Sequence, residues 1–329
     1  MSPLERSYLI SRSIINLTTG RFFGETHRTI RMEGVTLTDT VYTHDRVDWH
    51  YHENAYFTFI LRGGVIEGNH KEVYECGPGA LLYHNWQDPH YNIKSPQFTR
   101  GMHIELDRDW MPAMTEGNRD MARGGDIGQG HGLKRGGDST RGGGLMRGGG
   151  LTRGGNLARG GGLTCGGDLP QGSMRLGHPG LKLIFYKIFR ESLIGGDLME
   201  LSIQQLLGEV YNFVGPVTSG RDKPRWVGLV RDLLYTEYAG SLSLKRIATI
   251  AGVHPVHLSR DFRKYFGCCL GDYIRALRLE QALASLGDRD LSLTRIALEC
   301  GFADQAHFIR LFKASQGITP SAYRRLLMG

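Results

Sequence analysis

Three histidines in the first third of the chain have the residue type and spacing of a metal site. His50 and His52 stand two residues apart in a strand-like segment, and His90 follows Pro89 in a later one, with His84 nearby. Residues two apart on a strand point to the same face, where a histidine from a facing strand can complete a set of imidazole ligands. A metal-dependent enzyme using His50, His52 and His90 is therefore one alternative, although the interpretation that we favour assigns no metal and no other cofactor.

Aromatic residues near these histidines suggest a different use of the same region. Ligand cavities are mostly apolar and contain a few directed polar groups. Aromatic and histidine side chains together therefore predict a pocket for a small organic effector; the alternative is that the aromatic residues are simply core. The predicted pocket residues are Trp49, His50, His52, Tyr56, Phe59, Tyr83, Trp86 and His90.

The segments that carry these residues alternate in the manner of short strands. Residues 34–110 contain β-branched and aromatic runs that are separated by turn sequences such as Gly63-Gly64 and Gly77-Pro78-Gly79. Closely spaced turns between such runs are typical of an antiparallel β-sandwich or small barrel. We therefore predict a domain over residues 31–120, preceded by an N-terminal extension over residues 1–30.

The middle of the chain repeats a six-residue unit that usually begins Arg-Gly-Gly. Eight units run from Arg123 to Pro170, and each contains two or three glycines. So much glycine leaves little to pack, which favours a disordered linker over residues 121–176 rather than a hexapeptide β-helix. RNA binding through the Arg-Gly-Gly units is another alternative, although the absence of aromatic residues between Met121 and Arg175 argues against base stacking.

The segment after the linker has apolar residues at helical spacing. Two such stretches flank Gly195-Gly196-Asp197, which has the composition of a turn. This pattern predicts a helical hairpin over residues 177–216. The apolar positions are Leu181, Ile184, Phe185 and Ile188 in the first helix and Ile203, Leu206, Leu207, Val210 and Val214 in the second.

The C-terminal segment contains the same helical pattern twice. Ser243 is a predicted N-cap, Gly252 lies in a tight turn, and Pro255 opens a second helix. The pattern returns 49 residues later with Ser292 and Gly301 in the same roles. Each copy has the form of a helix-turn-helix unit, and the helix predicted between them is a rigid spacer. Two such units can place their second helices in successive major grooves, about 34 Å apart.

Charge is unevenly distributed along the chain. The chain has 40 Lys and Arg against 33 Asp and Glu, and residues 221–329 hold 17 basic and 10 acidic side chains. Outside this region and residues 121–175, acidic side chains outnumber basic ones by 20 to 15. A basic end indicates a polyanionic partner, because Lys and Arg displace counterions from phosphates. The predicted partner is double-stranded DNA.

The cysteine content and the lack of long apolar runs indicate the cellular compartment. The five cysteines are odd in number and form no C-x-x-C pair, which predicts reduced thiols rather than disulfides or structural zinc. No run approaches the ~18 apolar residues that cross a bilayer, and the first residues lack the pattern of a secretory leader. We therefore expect a cytoplasmic protein with no membrane partner.

The repeated C-terminal pattern closely resembles the DNA-binding domain of the AraC/XylS family. The resemblance covers residues 222–329, with IALECGFADQAHFIRLFKASQGITPSAYRR as the signature segment. Val41–Met114, which includes FTRGMHIELDRDW, resembles the cupin-like sensory domain of these regulators. Tyr56 or Phe57 stands where metal-binding cupins have a glutamate, which argues against metal catalysis. The predicted fold class is therefore α+β and multidomain: a cupin-like antiparallel sandwich or barrel, a helical hairpin and an all-α double helix-turn-helix.

The resemblance implies a sequence-specific transcriptional regulator of AraC/XylS type rather than an enzyme. In this family a helical pair at the position of residues 177–216 commonly supports a homodimer, and an activator also engages RNA polymerase. By resemblance, the exposed positions of the second helix in each unit face base edges: Val256, Ser259, Arg260, Arg263, Gln305, Ala306, Ile309 and Arg310. The residues placed for phosphate contact are Lys245, Arg246, Lys264, Thr294, Arg295 and Lys313.

Overall fold

Strands occupy the first part of the chain and helices the rest. A computed structural model describes residues 14–108, 110, 173–214 and 224–328. The strands are β1 (Ile15–Leu17), β2 (Glu25–Met32), β3 (Val35–Tyr42), β4 (Arg46–His52), β5 (Ala55–Arg62), β6 (Val65–Asn69), β7 (Val73–Cys76), β8 (Leu81–His84), β9 (His90–Lys94), β10 (Thr99–Leu106) and β11 (Met174–Arg175). The helices are α1 (Pro179–Ile194), α2 (Met199–Val214), α3 (Arg225–Glu237), α4 (Leu244–Ala251), α5 (Pro255–Phe266), α6 (Leu270–Ser285), α7 (Leu293–Glu299), α8 (Gln305–Gln316) and α9 (Pro320–Met328).

The strands form two sheets. The five-stranded sheet has the order β1-β4-β9-β6-β7, and the six-stranded sheet has the order β11-β8-β5-β10-β3-β2. Their pairs are antiparallel, apart from β1, which runs parallel to β4. Over the described residues this is a sandwich and not a closed barrel, so the first of the two predicted β architectures is confirmed.

Strand β5 is buried on both faces. Phe57, Phe59 and Leu61 belong to the core shared with the helices, whereas Tyr56 and Thr58 face the interior of the sandwich. This double burial explains why Ala55–Arg62 is almost continuously apolar rather than alternating. One strand therefore separates the sandwich interior from the helical half of the molecule.

The helical hairpin packs against this strand. The ring of Phe185 in α1 lies 5.3 Å from that of Phe57, and the ring of Tyr186 lies 4.7 Å from that of Phe59. The predicted hairpin is confirmed, and Gly195 and Gly196 in the predicted turn have positive φ, a conformation that glycine adopts without strain. The hairpin and the six-stranded sheet share one hydrophobic core.

Two predicted boundaries need correction. Residues 1–30 are not simply an extension, because β1 pairs with β4 and β2 begins at Glu25. The predicted linker also ends too late, since Met174 pairs with Tyr83 in the six-stranded sheet. Short edge strands such as these carry little sequence periodicity. The Arg-Gly-Gly units lie outside the described residues.

The C-terminal helices belong to two hydrophobic cores. Helices α3, α4 and α5 share a core with the first half of α6. Helices α7, α8 and α9 instead join the core formed by the hairpin and the sandwich. The second helix-turn-helix unit is therefore packed on the N-terminal half, and the first is held mainly by its own helices. No helix in the described part of the chain is long and apolar enough to cross a membrane.

Candidate nucleic-acid interface and sensor cavity

The first helix-turn-helix unit is formed by α4 and α5. The Ser243 hydroxyl accepts a hydrogen bond from the backbone N–H of Arg246 at 3.2 Å, which caps α4. Gly252 ends α4 in the left-handed region with φ +67°. Pro255 is the first residue of α5, where its missing N–H leaves no hydrogen bond unmade. Local sequence therefore sets both helix ends.

The second helix-turn-helix unit has side-chain N-caps at both of its helices, α7 and α8. The Ser292 hydroxyl accepts from the backbone N–H of Arg295 at 3.1 Å, and the Asp304 carboxylate accepts from the backbone N–H of His307 at 2.6 Å. The Thr294 hydroxyl donates to the side-chain oxygen of Gln305 at 2.5 Å. That bond links α7 to α8 and leaves the amide hydrogens of Gln305 available to a ligand.

The loop after α3 joins the two units. The Arg278 guanidinium in α6 donates to the backbone oxygens of Tyr238 at 2.8 Å and Gly240 at 3.0 Å. The α carbon of Gly301, in the turn of the second unit, packs so closely on this loop that an added Cβ would lie 2.4 Å from the backbone oxygen of Ala239. These contacts fix the position of one unit relative to the other.

A cavity lies inside the sandwich. The cavity is narrow, and part of it is open to solvent. Its walls come from both sheets and from the segment before β2, so the two halves of the sandwich converge on it. The lining residues are Phe22, Phe23, Tyr42, His44, Val47, His50, His52, Tyr56, Thr58, Val65, His90, Asn92, Lys94 and His103.

Buried, neutral imidazoles dominate this cavity. Burial lowers the pKa of His50 to about 4 and the pKa values of His90 and His103 to about 3. The Nδ1–H groups of His50 and His90 donate to the backbone oxygens of Asp48 at 2.9 Å and Asp88 at 3.1 Å. Their Nε2 atoms therefore carry the free lone pairs.

The Tyr56 hydroxyl meets one of these lone pairs. It donates to Nε2 of His90 at 2.9 Å. Burial also raises the pKa of Tyr56 well above its usual value, so the phenol keeps its proton. Tyr56, one of the two residues that could stand where metal-binding cupins have a glutamate, is therefore a neutral hydrogen-bond donor.

A family model described as a helix-turn-helix domain matches residues 247–326 of the chain. The probable transcription factor PqrA of Proteus vulgaris is 41% identical over 83 residues, which are 25% of this chain and 68% of that protein. The transcriptional activator AarP of Providencia stuartii is 45% identical over 83 residues, 25% of this chain and 62% of that protein.

The chain belongs to the AraC-type family of helix-turn-helix transcriptional regulators.

Solved structures give similar matches. An AraC-type transcriptional regulator from Chromobacterium violaceum is 29% identical with a TM-score of 0.30, covering 31% of this chain and 91% of that one. ToxT from Vibrio cholerae is 10% identical with a TM-score of 0.34, covering 89% of this chain and 99% of that one.

The predicted base-reading residues of this AraC-type regulator are mostly accessible. Val256, Ser259, Arg260 and Arg263 are exposed on α5, opposite its buried side. On α8, Ala306 and Arg310 are exposed, but Gln305 and Ile309 are half-buried. The predicted phosphate contacts, namely Lys245, Arg246, Lys264, Thr294, Arg295 and Lys313, are all exposed.

Several of these cations already have carboxylate partners. Arg246 pairs with Glu237 at 2.6 Å and Arg295 with Glu299 at 2.7 Å. Arg260 donates from Nε to its neighbour Asp261 at 2.9 Å. Exposed pairs of this kind are weak. Each of these side chains can therefore exchange its carboxylate for a nucleic-acid group.

The structure brings together half of the predicted effector-pocket residues in the cavity. His50, His52, Tyr56 and His90 line the cavity, but Trp49, Phe59, Tyr83 and Trp86 do not. Phe59 and Tyr83 point to the helical side of the six-stranded sheet. Trp49 stacks on His70 at 4.6 Å, and Trp86 is 36% exposed. Successive residues of a strand point to opposite faces, so Phe59 and Tyr56, three residues apart, lie on different faces of β5.

Three residues beside the motif histidines were not predicted from the sequence: Phe22, His103 and Glu67. Phe22 stacks on His103 at 3.7 Å and on His52 at 4.6 Å. Glu67 is buried beside His84, and burial raises its pKa to about 8. Alternation in β6 places Glu67 on the same face as Val65, so parity could have identified it. Phe22 gave no such signal, because it lies outside any strand.

Proposed function

We propose that this AraC-type regulator reads two successive major grooves of DNA with α5 and α8. The observation that carries the proposal is the repetition of two capped helix-turn-helix units whose positions are fixed through the loop at Tyr238, Ala239 and Gly240. Two recognition helices at a fixed separation suit two half-sites one helical turn apart. Arginines suit guanine and Gln305 suits adenine, whereas Val256 and Ala306 suit thymine methyl groups.

Selection of bound duplexes from random DNA tests this proposal. We expect a recovered motif with two conserved elements about 10 base pairs apart. The same selection with Arg260→Ala should lose information in one element, and Arg310→Ala should lose it in the other. Recovery of no motif, or of one short element that neither substitution changes, would contradict the proposal.

We further propose that the sandwich cavity binds a small effector. The enclosed histidine and tyrosine side chains supply directed hydrogen-bonding groups inside a partly apolar wall, which is the character of small-molecule sites. Strand β5 presents Tyr56 to the cavity and Phe57 to the hairpin, so a change in the cavity reaches the helices through one strand. A ligand shifts DNA affinity only if it binds two states of the protein unequally.

The hairpin is the proposed homodimer surface. Leu198 is 69% exposed, Leu201 63% and Phe213 45%, so exposed apolar side chains lie near both ends of α2. Exposed apolar side chains of this kind are suited to contact with a second copy. Sedimentation of the full chain tests the dimer. Leu201→Glu should give monomers, and Gln205→Glu, at an exposed polar position between them, should have a weaker effect.

We also propose RNA polymerase as a partner if this regulator is an activator. The proposed compartment is the cytoplasm, where bacterial DNA lies. We propose no catalytic activity. Loss of turnover in His52→Ala with stoichiometric metal would support the enzyme alternative. Salt-dependent RNA affinity that disappears when residues 123–170 are deleted would support the RNA-binding alternative.

A further inference from the structure

A second group of ligand-type side chains consists of one residue of the cavity wall, His90, and two buried residues beside it, Glu67 and His84. Glu67 on β6, His84 on β8 and His90 on β9 each offer a ligand atom, and these atoms lie within 4.8 Å of one another. Their side chains are shielded from solvent, with exposures of 2%, 0% and 2%. They converge from both sheets of the sandwich, so the fold itself brings them together.

His84 is the unusual member of this group. Both of its ring nitrogens are buried and neither has a hydrogen-bond partner among the described residues. A buried polar group without a partner is unfavourable, and native proteins satisfy most such groups. A ligand that accepts the lone pair of one ring nitrogen would remove half of this deficit.

The spacing between His84 and Glu67 matches a metal site better than a hydrogen bond. Nε2 of His84 lies 3.5 Å from Oε1 of Glu67. Strong hydrogen bonds between nitrogen and a carboxylate are about 2.7 to 2.9 Å long. Ligand atoms on a tetrahedral ion with bonds of about 2.0 to 2.1 Å are about 3.3 Å apart. The pair therefore has the separation of two neighbouring ligands on one ion.

His90 is already oriented as a ligand. Its Nδ1–H donates to the backbone oxygen of Asp88, which fixes the tautomer and directs Nε2 into the sandwich. A backbone carbonyl on the distal nitrogen is the usual support for a metal-bound histidine. The Tyr56 hydroxyl, which now donates to Nε2, would give up that bond to the ion.

We propose that the sandwich binds one divalent first-row transition-metal ion through Glu67, His84 and His90. Two imidazoles and one carboxylate suit zinc, iron, cobalt or nickel. The carboxylate neutralises half of the charge that the ion brings into the interior. This set shares only His90 with the histidines of the cupin-like motif, and its carboxylate comes from β6 rather than from the position of Tyr56. The site does not depend on the DNA-binding proposal.

Zinc titration of the full chain tests the site. The adjacent thiols of Cys268 and Cys269 could bind zinc themselves, so the protein carries Cys268→Ser and Cys269→Ser. After treatment with EDTA and dialysis, calorimetry should find one zinc ion per chain, and zinc should raise the melting temperature. We expect Glu67→Gln and His84→Gln each to weaken zinc binding by about 100-fold or more, beyond the effect of a residue that only supports a ligand.

The matched control gives the opposite expectation. His70→Gln removes an exposed histidine and should leave zinc affinity unchanged. His50→Gln tests the alternative ligand set His50, His52 and His90. Glu67→Gln preserves the shape of the side chain, so its near-ultraviolet circular dichroism should match that of the parent. If His84→Gln does not fold, the zinc affinity of Glu67→Gln alone tests the proposal. The proposal is wrong if no saturable zinc binding occurs, or if His50→Gln abolishes binding while Glu67→Gln does not. The DNA affinity of the metal-free protein is measured separately, so that a failure of the metal proposal is distinguished from a failure of the DNA-binding proposal.

Discussion

The Lys182 ammonium and the Glu280 carboxylate meet inside the molecule, with Nζ and Oε1 2.5 Å apart. Lys182 belongs to the hairpin and Glu280 to α6, the helix between the two DNA-reading units. Their side chains are only 6% and 3% exposed. Burial raises the pKa of Glu280, and the nearby ammonium opposes that rise. The pair therefore joins the hairpin to the spacer helix by a contact that water barely screens.

Breaking this pair from one side should destabilise the protein. We expect Lys182→Met to lower the free energy of unfolding by about 3 to 5 kcal/mol, because it leaves a carboxyl buried without its counter-charge. Lys182→Met combined with Glu280→Leu should recover most of that loss, since no charge remains buried. Denaturant midpoints measure both effects. Arg46→Met, which breaks the exposed pair with Asp48, is the control and should change nothing measurable. Equal losses in the single and double variants would show that the charges are not responsible.

Local features were predictable because neighbouring residues determine them. Ser243 and Ser292 cap their helices through bonds to residues three positions ahead, and Gly252 takes the left-handed conformation that its place in the turn requires. The recurrence of this pattern after 49 residues gave the helix-turn-helix prediction its strength. The helix ends and turns of both helix-turn-helix units therefore followed from interactions between neighbouring residues.

Long-range placement was not predictable in this way. Lys182 and Glu280 are 98 residues apart, and Glu67 and His84 become neighbours only when β6 and β8 face each other across the sandwich. No spacing in the sequence encodes that meeting. Phe59 differs from these pairs, because alternation along β5 alone places it on the opposite face from Tyr56.

The two turn glycines should respond differently to alanine. Gly252 and Gly301 both have positive φ, +67° and +81°. A Cβ at Gly252 would meet no atom within 4 Å, whereas one at Gly301 would lie 2.4 Å from the backbone oxygen of Ala239. We expect Gly252→Ala to cost about 1 to 2 kcal/mol through backbone strain alone. Gly301→Ala should cost clearly more by denaturant titration. Similar losses would show that the loop at Ala239 yields easily.

The exposed arginines should contribute to sequence preference. Arg260 and Arg310 lie on the open faces of α5 and α8. We expect Arg260→Ala and Arg310→Ala each to weaken binding to a selected duplex by about 5- to 150-fold, and binding to random DNA much less. Fluorescence anisotropy at one fixed salt concentration measures both. Arg231→Ala on α3 is the matched control. Equal losses on specific and random DNA would mean that these arginines contact only phosphates.

Acid should destabilise the sandwich through His103. Burial lowers its pKa to about 3, so between that value and about 6.5 only the unfolded state takes up the proton. Stability supplied by the neutral imidazole is therefore complete above about pH 6.5 and is lost as the pH falls. Glu105, whose pKa burial raises to about 7, acts in the opposite direction. Comparison of variants separates the two effects.

The difference between the parent and His103→Gln isolates the histidine. We expect the parent to lose up to about 2 kcal/mol more than this variant between pH 7 and pH 5, in chemical denaturation with EDTA present. His27→Gln, at an exposed position, should follow the parent at every pH. If His103→Gln also follows the parent, His103 is protonated in the folded protein at pH 5.

Removal of the glycine-rich repeat should leave the regulator intact. Strands β10 and β11, which flank the repeat in sequence, lie in one sheet with β5 and β8 between them. Three strand spacings separate them by about 14 Å. After deletion of residues 123–170, the remaining connection is long enough to span that distance. The hairpin would still dock on the sandwich through Phe57 and Phe185. We therefore expect unchanged DNA affinity and unchanged effector response by anisotropy. Loss of the response with DNA affinity retained would place the repeat in the path from sandwich to reader.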